Sequence, residues 1–442
     1  MTGLPARRLA WEALRAVHAN DAYANLVVPR LLAGSRLDER DRALVVELAY
    51  GTLRAEGQLD HVIAAGSSRP LDQIDTRLLD VLRLGAYQLL HMRVPPHAAV
   101  ATSVTLAREV AGEGAAKFAN AVLRRVGERR DDLVPPAFDV DPVAHLAVTT
   151  AHPEWIVAAF RDALGGDLAE TRRALDADNV RPEVHLAARR ISPDALVAEC
   201  VAAGYEATPG RWSPLAVRLH GGDPGALPSV RSGAAGVQDE ASQLAALVVH
   251  RLLPHVDGAD ILDLCAGPGG KTALLAALRP AARIVASDLH HHRARLVRQA
   301  AGPGPLVVQA DGRAPGWAAQ RFDAVLLDAP CTGLGALRRR PEARWRRQPG
   351  DLAGLVALQA ELLRSAVDAV RPGGLVVYVV CSPHRAEGPD QVSDALDRGA
   401  VEQVDVRGVL ADVPDLGAGP SVQTWPHRHE TDALFVTALR RN

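Results

Sequence analysis

The sequence predicts a multidomain protein in three parts: an all-α bundle, a small α+β module, and an α/β domain on a mostly parallel sheet. Three observations predict it. The 442 residues exceed what one hydrophobic core usually holds. Apolar residues recur at three- and four-residue spacing through the first 130 positions. After Gly236, short apolar runs alternate with helical stretches.

The bundle is expected over residues 1–130. ARRLAWEALRAV, RDRALVVELAYGTL, TRLLDVLRLGAYQLL and ATSVTLAREVAG each carry an apolar stripe, separated by short polar or proline-bearing links. Residues 131–142, DDLVPPAFDVDP, break the pattern with three prolines and several acids, which predicts a linker. The module follows at 143–235, with helices at Pro153 to Leu164 and Ser192 to Ala203 and strands in EVHLAARR and LAVRL. From 236 to 442 the strands are ILDLC, RIVASD, LVVQA, DAVLLD, GLVVYVV and ALFVTAL, with helices between most of them.

A net charge of −2 announces no polyanion partner, so local clusters of charge matter more. Lysine occurs only at Lys117 and Lys271, which singles out the one inside a glycine-rich turn. Cys200, Cys265, Cys331 and Cys381 form neither a CxxC pair nor a cluster with zinc-ligand spacing, so no metal and no disulfide framework are expected. The N-terminus shows no signal-peptide core and no run approaches the roughly 20 apolar residues of a membrane span. A cytoplasmic protein, with a monomer favoured, is the expectation.

The turn Asp263-Leu-Cys-Ala-Gly-Pro-Gly-Gly-Lys271-Thr272 follows a buried strand and opens a helix, an arrangement that brings backbone N–H groups to a ligand. A P-loop would need glycine where Cys265 stands, and a dinucleotide fingerprint a third glycine near Thr272. A nucleoside-binding turn of the S-adenosylmethionine (SAM) type instead needs an acid at the end of the second strand. Asp288 supplies it, and Asp311 after the third strand is placed to meet an adenine. Helix capping is the plainer role for these aspartates. Three acids at successive strand ends, Asp328 being the third, weigh against it.

Cys331, in Asp328-Ala-Pro-Cys331, and Cys381, after Val379-Val380, each end an apolar run. An isolated cysteine is more often a small core residue. Two of them beside a cofactor turn suit thiol chemistry, because residues that terminate neighbouring strands meet at one sheet edge. Carbon 5 of a pyrimidine is a poor nucleophile until a thiolate adds to carbon 6, after which it attacks an electrophilic methyl and a base removes its proton. Asp328 and Lys271 are candidates to neutralise charge on the ring, although Lys271 also suits a plain turn cap. Residue patterns leave open which thiol attacks.

Six arginines and a tryptophan, Arg338, Arg339, Arg340, Arg344, Trp345, Arg346 and Arg347, crowd into ten residues. Charge runs are usually solvated faces. Placed after Cys331 with an aromatic inside, this one is expected to contact RNA phosphates and bases. Phe118-Ala-Asn-Ala-Val-Leu-Arg-Arg125 is a second candidate for RNA contact.

These motifs, in this order, resemble the family of bacterial 16S rRNA (cytosine-5) methyltransferase B, the Sun or Fmu type. DLCAGPGGKT is similar to the family's DLCAAPGGKT, LLDAPCTGLG to its DAPCSGLG, RRRPEARWRR to its RRxPDxRWRR, and YVVCS to its YxTCS. AYANL, ELAYGTLR and FANAVLRR resemble its NusB-like RNA-binding domain, so the likeness runs nearly end to end. The resemblance implies a class I SAM-dependent, Rossmann-like domain with a seven-stranded sheet. It places Cys265, Ala266, Gly267, Pro268, Gly269, Gly270, Lys271, Asp288, Arg293, Asp311 and Asp328 around SAM. It makes Cys381 the nucleophile and Cys331 the residue that assists product release. The implied partner is 16S rRNA, naked or in early assembly, with residues 143–235 as a second RNA-binding module. Val380 stands where the family usually has threonine, Glu387-Gly388 where it has Glu-Glu-Asn, and Ala433 where it has glycine. The alternatives are a non-catalytic RNA-binding assembly factor with a decayed domain, opposed by the intact acids and cysteines, and, more distantly, a P-loop ATPase.

Overall fold

The structure is a computed structural model and describes residues 3–128, 135–254, 258–314 and 316–442. The chain divides into two units, Met1–Asn179 with Leu337–Gln348, and Val180–Ala336 with Pro349–Asn442.

The first unit opens with Leu4–Asn20 (α1), Ala24–Ala33 (α2), Glu39–Gly66 (α3), Thr76–His91 (α4) and Pro96–Glu128 (α5). The apolar stripes meet as the sequence predicts, burying Leu14, Leu53, Leu82, Leu106 and Leu123 completely or nearly so. Asp38 and Asp75 cap α3 and α4 by accepting from the amides of Asp41 and Arg77. Gly112, at φ +87°, breaks α5 with a backbone that a side chain would strain. Pro142–Thr150 (α6), Glu154–Ala163 (α7) and Leu168–Asp178 (α8) complete the helices of this unit before Asn179. The expected linker at 131–142 is described only from residue 135, positions 131–134 lying outside the described residues. Its last acid, Asp141, caps α6 through the Ala144 amide.

The second unit begins with Val184–Ala188 (β1), Pro193–Ala202 (α9), Glu206–Pro209 (β2), Ala216–His220 (β3), the single turn Pro228–Arg231 (α10) and Ala235–Val237 (β4). The four strands form an antiparallel sheet in the order β2-β3-β1-β4, with Leu186, Leu196, Cys200 and Val217 in its core. The residues expected to form one module at 143–235 are thus shared out. Their helices α6–α8 belong to the first unit and their sheet to the second.

The remaining elements are Glu240–Leu252 (α11), Asp260–Asp263 (β5), Gly270–Leu278 (α12), Arg283–Asp288 (β6), His291–Ala301 (α13), Leu306–Gln309 (β7), Phe322–Asp328 (β8), Ala343–Arg346 (α14), Asp351–Ala369 (α15), Val370–Val380 (β9), Pro389–Asp397 (α16), Val401–Val404 (β10), Val422–Gln423 (β11), Pro426–His429 (α17) and Phe435–Arg441 (β12). Of these, α14 lies in the first unit. Seven strands run β10-β12-β9-β8-β5-β6-β7, and the two-residue β11 pairs with β12. Strands β5 to β9 are mutually parallel where they pair, while β12 and β10 are antiparallel. The mostly parallel sheet matches the expectation. Because the parallel strands end at one edge, the residues that follow β5, β6, β8 and β9 gather there.

Candidate active site

Burial on both faces makes β8 and β9 near-continuous apolar runs, and their parallel register sets Asp328 opposite Val379. Chain direction then carries Cys331 and Cys381 off the same edge. Their sulfur atoms lie 3.3 Å apart. Two close contacts hold the loop after β8 to the end of β9: Ala329 donates to Val379 O and Gly335 N to Cys381 O, both at 2.9 Å. A Cβ on Gly335 would fall 1.8 Å from Ala433 O, so only glycine lets these backbones approach.

Glu387 anchors that loop from beneath. Completely buried, it accepts from the Thr332 amide at 2.7 Å, from the Thr332 hydroxyl, and from Gln359 Nε2 at 3.1 Å. The Thr332 hydroxyl also lies 3.1 Å from that of Ser382, beside Cys381. The departure at Gly388 has a local reason, since a Cβ there would touch the Phe435 ring at 3.0 Å.

Lys271 leaves the first turn of α12 and donates to Asp328 Oδ2 at 2.6 Å. Burial favours its neutral form, yet Asp328, with Cys381 and Asp263 behind it, outweighs burial and holds the ammonium above its ordinary pKa. Cys331 is raised too, which leaves it neutral where Lys271 is charged. Its hydrogen bond with Cys381, then burial, then the charges of Glu387 and Asp328 keep it a thiol well above the ordinary range. Burial likewise raises Cys265.

The glycine-rich turn closes on itself through Gly269 N to Ala266 O at 2.7 Å, with a cis peptide at Gly267-Pro268. Asp288 ends β6 and accepts from Gly267 N at 3.1 Å and His290 N at 2.9 Å. Arg293, on α13, donates to Gly267 O at 2.7 Å and lies 3.6 Å from Asp288. Asp311 sits two residues past β7 in a 2.6 Å ion pair with Arg313, whose hydrogen bond holds its carboxyl down at about 2. Asp263, fully buried, accepts from the Thr272 hydroxyl at 2.6 Å, and burial drives its carboxyl up to about 7.

One expectation needs correction. The arginine run does not stand as a solvated strip at the sheet edge, because Leu337–Gln348 belongs to the helical unit. Arg344 is completely buried and donates to Arg54 O, Ala151 O and Asn179 Oδ1. Trp345 donates to Leu53 O at 2.8 Å and fills the space left by Gly57, where a Cβ would lie 2.3 Å from the indole. Arg346 donates to the carbonyls of Val17, Asp21 and Ala22, and Arg338 is buried. Arg339 and Arg347 are half-buried. Arg340 is exposed and lies over the Tyr23 ring at 5.0 Å. The tryptophan and the middle arginines therefore cap helix ends and fill gaps in the bundle rather than reach for phosphate.

Residues 4–128 match the NusB family, and residues 250–440 match the family described as 16S rRNA methyltransferase RsmB/F. A ribosomal RNA small subunit methyltransferase B of Salmonella paratyphi C is 33% identical, covering 98% of this chain and 98% of its own. The chain belongs to the 16S rRNA methyltransferase RsmB/F family. A Mycobacterium tuberculosis protein named as a methyltransferase is 52% identical over 99% of this chain and 96% of its own. Among solved structures, PH0851 shares the RsmB/F chain's fold with a TM-score of 0.85 at 22% identity, covering 100% of this chain and 99% of that one. NSun6 from Pyrococcus horikoshii, solved with SFG, aligns with a TM-score of 0.56 at 18% identity over 65% of this chain and 98% of its own.

RsmB/F membership makes the chain a SAM-dependent rRNA methyltransferase, and the turn fits that cofactor. A Cβ on Gly267 would lie 2.5 Å from Asp288 Oδ2, so the acid and the bare backbone form one cradle. Buried Asp263 Oδ1, Ser287 Oγ and Gln238 Oε1 around it have no hydrogen-bond partner. Among the described residues no His, Cys, Asp and Glu cluster suits a metal ion. No described helix is long and apolar enough to cross a membrane.

The roles of four residues at the site escaped the sequence reading. Glu387 and Gly388 stood out only as departures from the family pattern, Asp263 only as the start of the turn, and Thr332 not at all, because their roles depend on partners across the sheet edge.

Proposed function

We propose that this chain methylates carbon 5 of a cytosine in 16S rRNA, naked or in early assembly, through a covalent adduct on Cys381. The observation that supports this reading is the approach of the two sulfurs to 3.3 Å beside the Lys271–Asp328 pair. Methylation of an exocyclic nitrogen or a ribose hydroxyl has no use for a thiol, let alone two.

The SAM that Asp288, Arg293, Asp311 and the turn from Cys265 to Lys271 would hold supplies a methyl on a sulfonium. Cys381, as thiolate, adds to carbon 6 of the cytosine, and the electron pair of the 5,6 double bond moves toward carbon 5 and the ring carbonyl. Lys271, kept cationic by Asp328, faces that negative charge and lowers its cost. Carbon 5 would then take the methyl, which bound SAM would give up from its sulfonium. A base then removes the proton from carbon 5, and the Cys381 sulfur leaves carbon 6 with the double bond restored. Cys331, held as a thiol 3.3 Å away, is placed to donate a hydrogen bond to the Cys381 sulfur as it leaves carbon 6 and so to stabilise its departure.

The test is incubation of the full chain with methyl-labelled SAM and unmodified 16S rRNA, followed by nucleoside mass spectrometry. Label in 5-methylcytidine is expected. Label in any other nucleoside, or in none with both naked RNA and small subunits, overturns the reading.

A further inference from the structure

The second unit carries another concave site that the cysteine chemistry leaves unused. It is a half-open groove of about 460 Å³. The end of β1 and the α10–β4 turn form one wall, and Pro268, Gly270 and the C-terminal end of α13 form the other. Asp288, Asp311, Asp328 and both site cysteines lie outside its lining, and it shares only Pro268 and Gly270 with the glycine-rich turn.

Its charge is one-sided. Arg189, Arg190 and Arg231 line it and no carboxylate does. None of the three has an acidic partner among the described residues, and the side chains of Arg189 and Arg190 donate to backbone. Arg189 Nη1 donates to Ala300 O at 3.3 Å and Arg190 Nη2 to Ser232 O at 3.0 Å. Arg189 Nε is buried with no acceptor at all. Burial, then the charge of Arg190, draws the Arg189 guanidinium down to about 10, which still leaves it cationic at neutral pH.

Such a cluster is costly unless something offsets it. Guanidinium groups are seldom gathered without carboxylates, because like charges repel and buried N–H groups need acceptors. The Arg189 guanidinium lies against the bare backbone of Gly236, where a Cβ would fall 2.3 Å from its Nη2. The arginine fork matches phosphate oxygens in geometry as well as charge. Arg190 and Arg231 are solvent-exposed and so accessible to a long ligand, while Arg189 lies deeper.

We propose that this groove grips the phosphodiester backbone of the RNA substrate, with Arg190 and Arg231 taking phosphates at its rim and Arg189 at its floor. The proposal rests on the reading of the chain as an RNA methyltransferase. It adds a grip on the strand beside the glycine-rich turn.

The test uses the full chain and an Arg190→Glu/Arg231→Glu double variant, which alters only exposed side chains. Binding of a fluorescein-labelled single-stranded RNA is followed by anisotropy over a series of salt concentrations. SAM binding is measured by equilibrium dialysis. The expected result is an RNA Kd weakened about tenfold or more and a log Kd against log salt slope reduced by about 1 to 2, with SAM affinity unchanged. Unchanged RNA affinity and slope overturn the proposal. So does a groove that binds a mononucleotide with arginine-dependent affinity while RNA binding stays the same. If the variant loses RNA affinity but the parent chain makes no 5-methylcytidine, the groove stands and the proposed reaction falls. If both proteins methylate RNA with equal KM, the reaction stands and the groove falls.

Discussion

Cys331 and Cys381, 50 residues apart in sequence, hold their sulfur atoms 3.3 Å apart. Parallel pairing of β8 with β9 ends both strands at one edge, and the glycine contact at Gly335 pulls the intervening loop against Cys381. Two thiols at van der Waals separation invite a division of labour, one adding to the base and the other clearing it.

Substitution of each thiol separates those roles. Cys381→Ala is expected to bind SAM normally and to lose methyl transfer by about 1,000-fold or more, forming no RNA adduct. Cys331→Ala is expected to accumulate a covalent protein–RNA complex, seen as a slow band on a denaturing gel. Opposite behaviour of the two variants reverses the assignment.

Glu387 is a positioning residue that acts through the Cys331 loop. Glu387→Ala strands the buried Thr332 N–H and removes one of two partners from the Thr332 hydroxyl and from Gln359 Nε2, a loss of about 2 to 4 kcal/mol in stability. Turnover should fall while KM for SAM holds, and Glu387→Gln should recover part of both losses. A melting temperature equal to the parent's would remove Glu387 from this role.

Arg344 tests the corrected role of the arginine run. Arg344→Ala is expected to lower stability by about 3 kcal/mol, because three half-buried acceptors lose their donor and the buried side chain leaves a cavity. The salt dependence of RNA binding should not change. A shallower salt slope with an unaltered thermal melt would return Arg344 to the RNA surface.

Asp263 sets a pH dependence of stability. Its carboxyl rises from 3.8 to about 7 on folding, so between those values the folded chain keeps a proton that the unfolded chain has released. Stability from this group is therefore full below pH 4, falls as pH rises toward 7 and is level above it, a change of about 4 kcal/mol. Asp263→Asn, which mimics the protonated acid, should flatten denaturant-unfolding midpoints across that window. An unchanged slope in the variant would place its origin in another group.

Much of this was legible in the order of residues. Helical spacing announced the bundle, and alternating runs announced the sheet. The turn from Cys265 to Lys271, with Asp288 at the next strand end, marked the candidate site. Each of these signals is local, because hydrophobic period and turn chemistry act over a few residues. Glu387 was not legible, since a glutamate becomes a buried anchor only when Thr332 and Gln359 are folded around it.

The arginine run shows where such reading stops. The place of Arg338 to Arg347 after Cys331, with a tryptophan among them, suggested contact with phosphates and bases, but whether a guanidinium faces water or carbonyls depends on what the rest of the chain brings to it. Here Arg54, Ala151 and Asn179 bring acceptors and Gly57 leaves room for Trp345. The converse holds at Arg189, Arg190 and Arg231, which look unremarkable along the chain and become a cationic groove when β1 and the α10–β4 turn meet the end of α13. Identity and period are properties of neighbours in sequence. Solvation, ion pairing and the distance between two sulfurs are properties of neighbours in space, and folding alone chooses those.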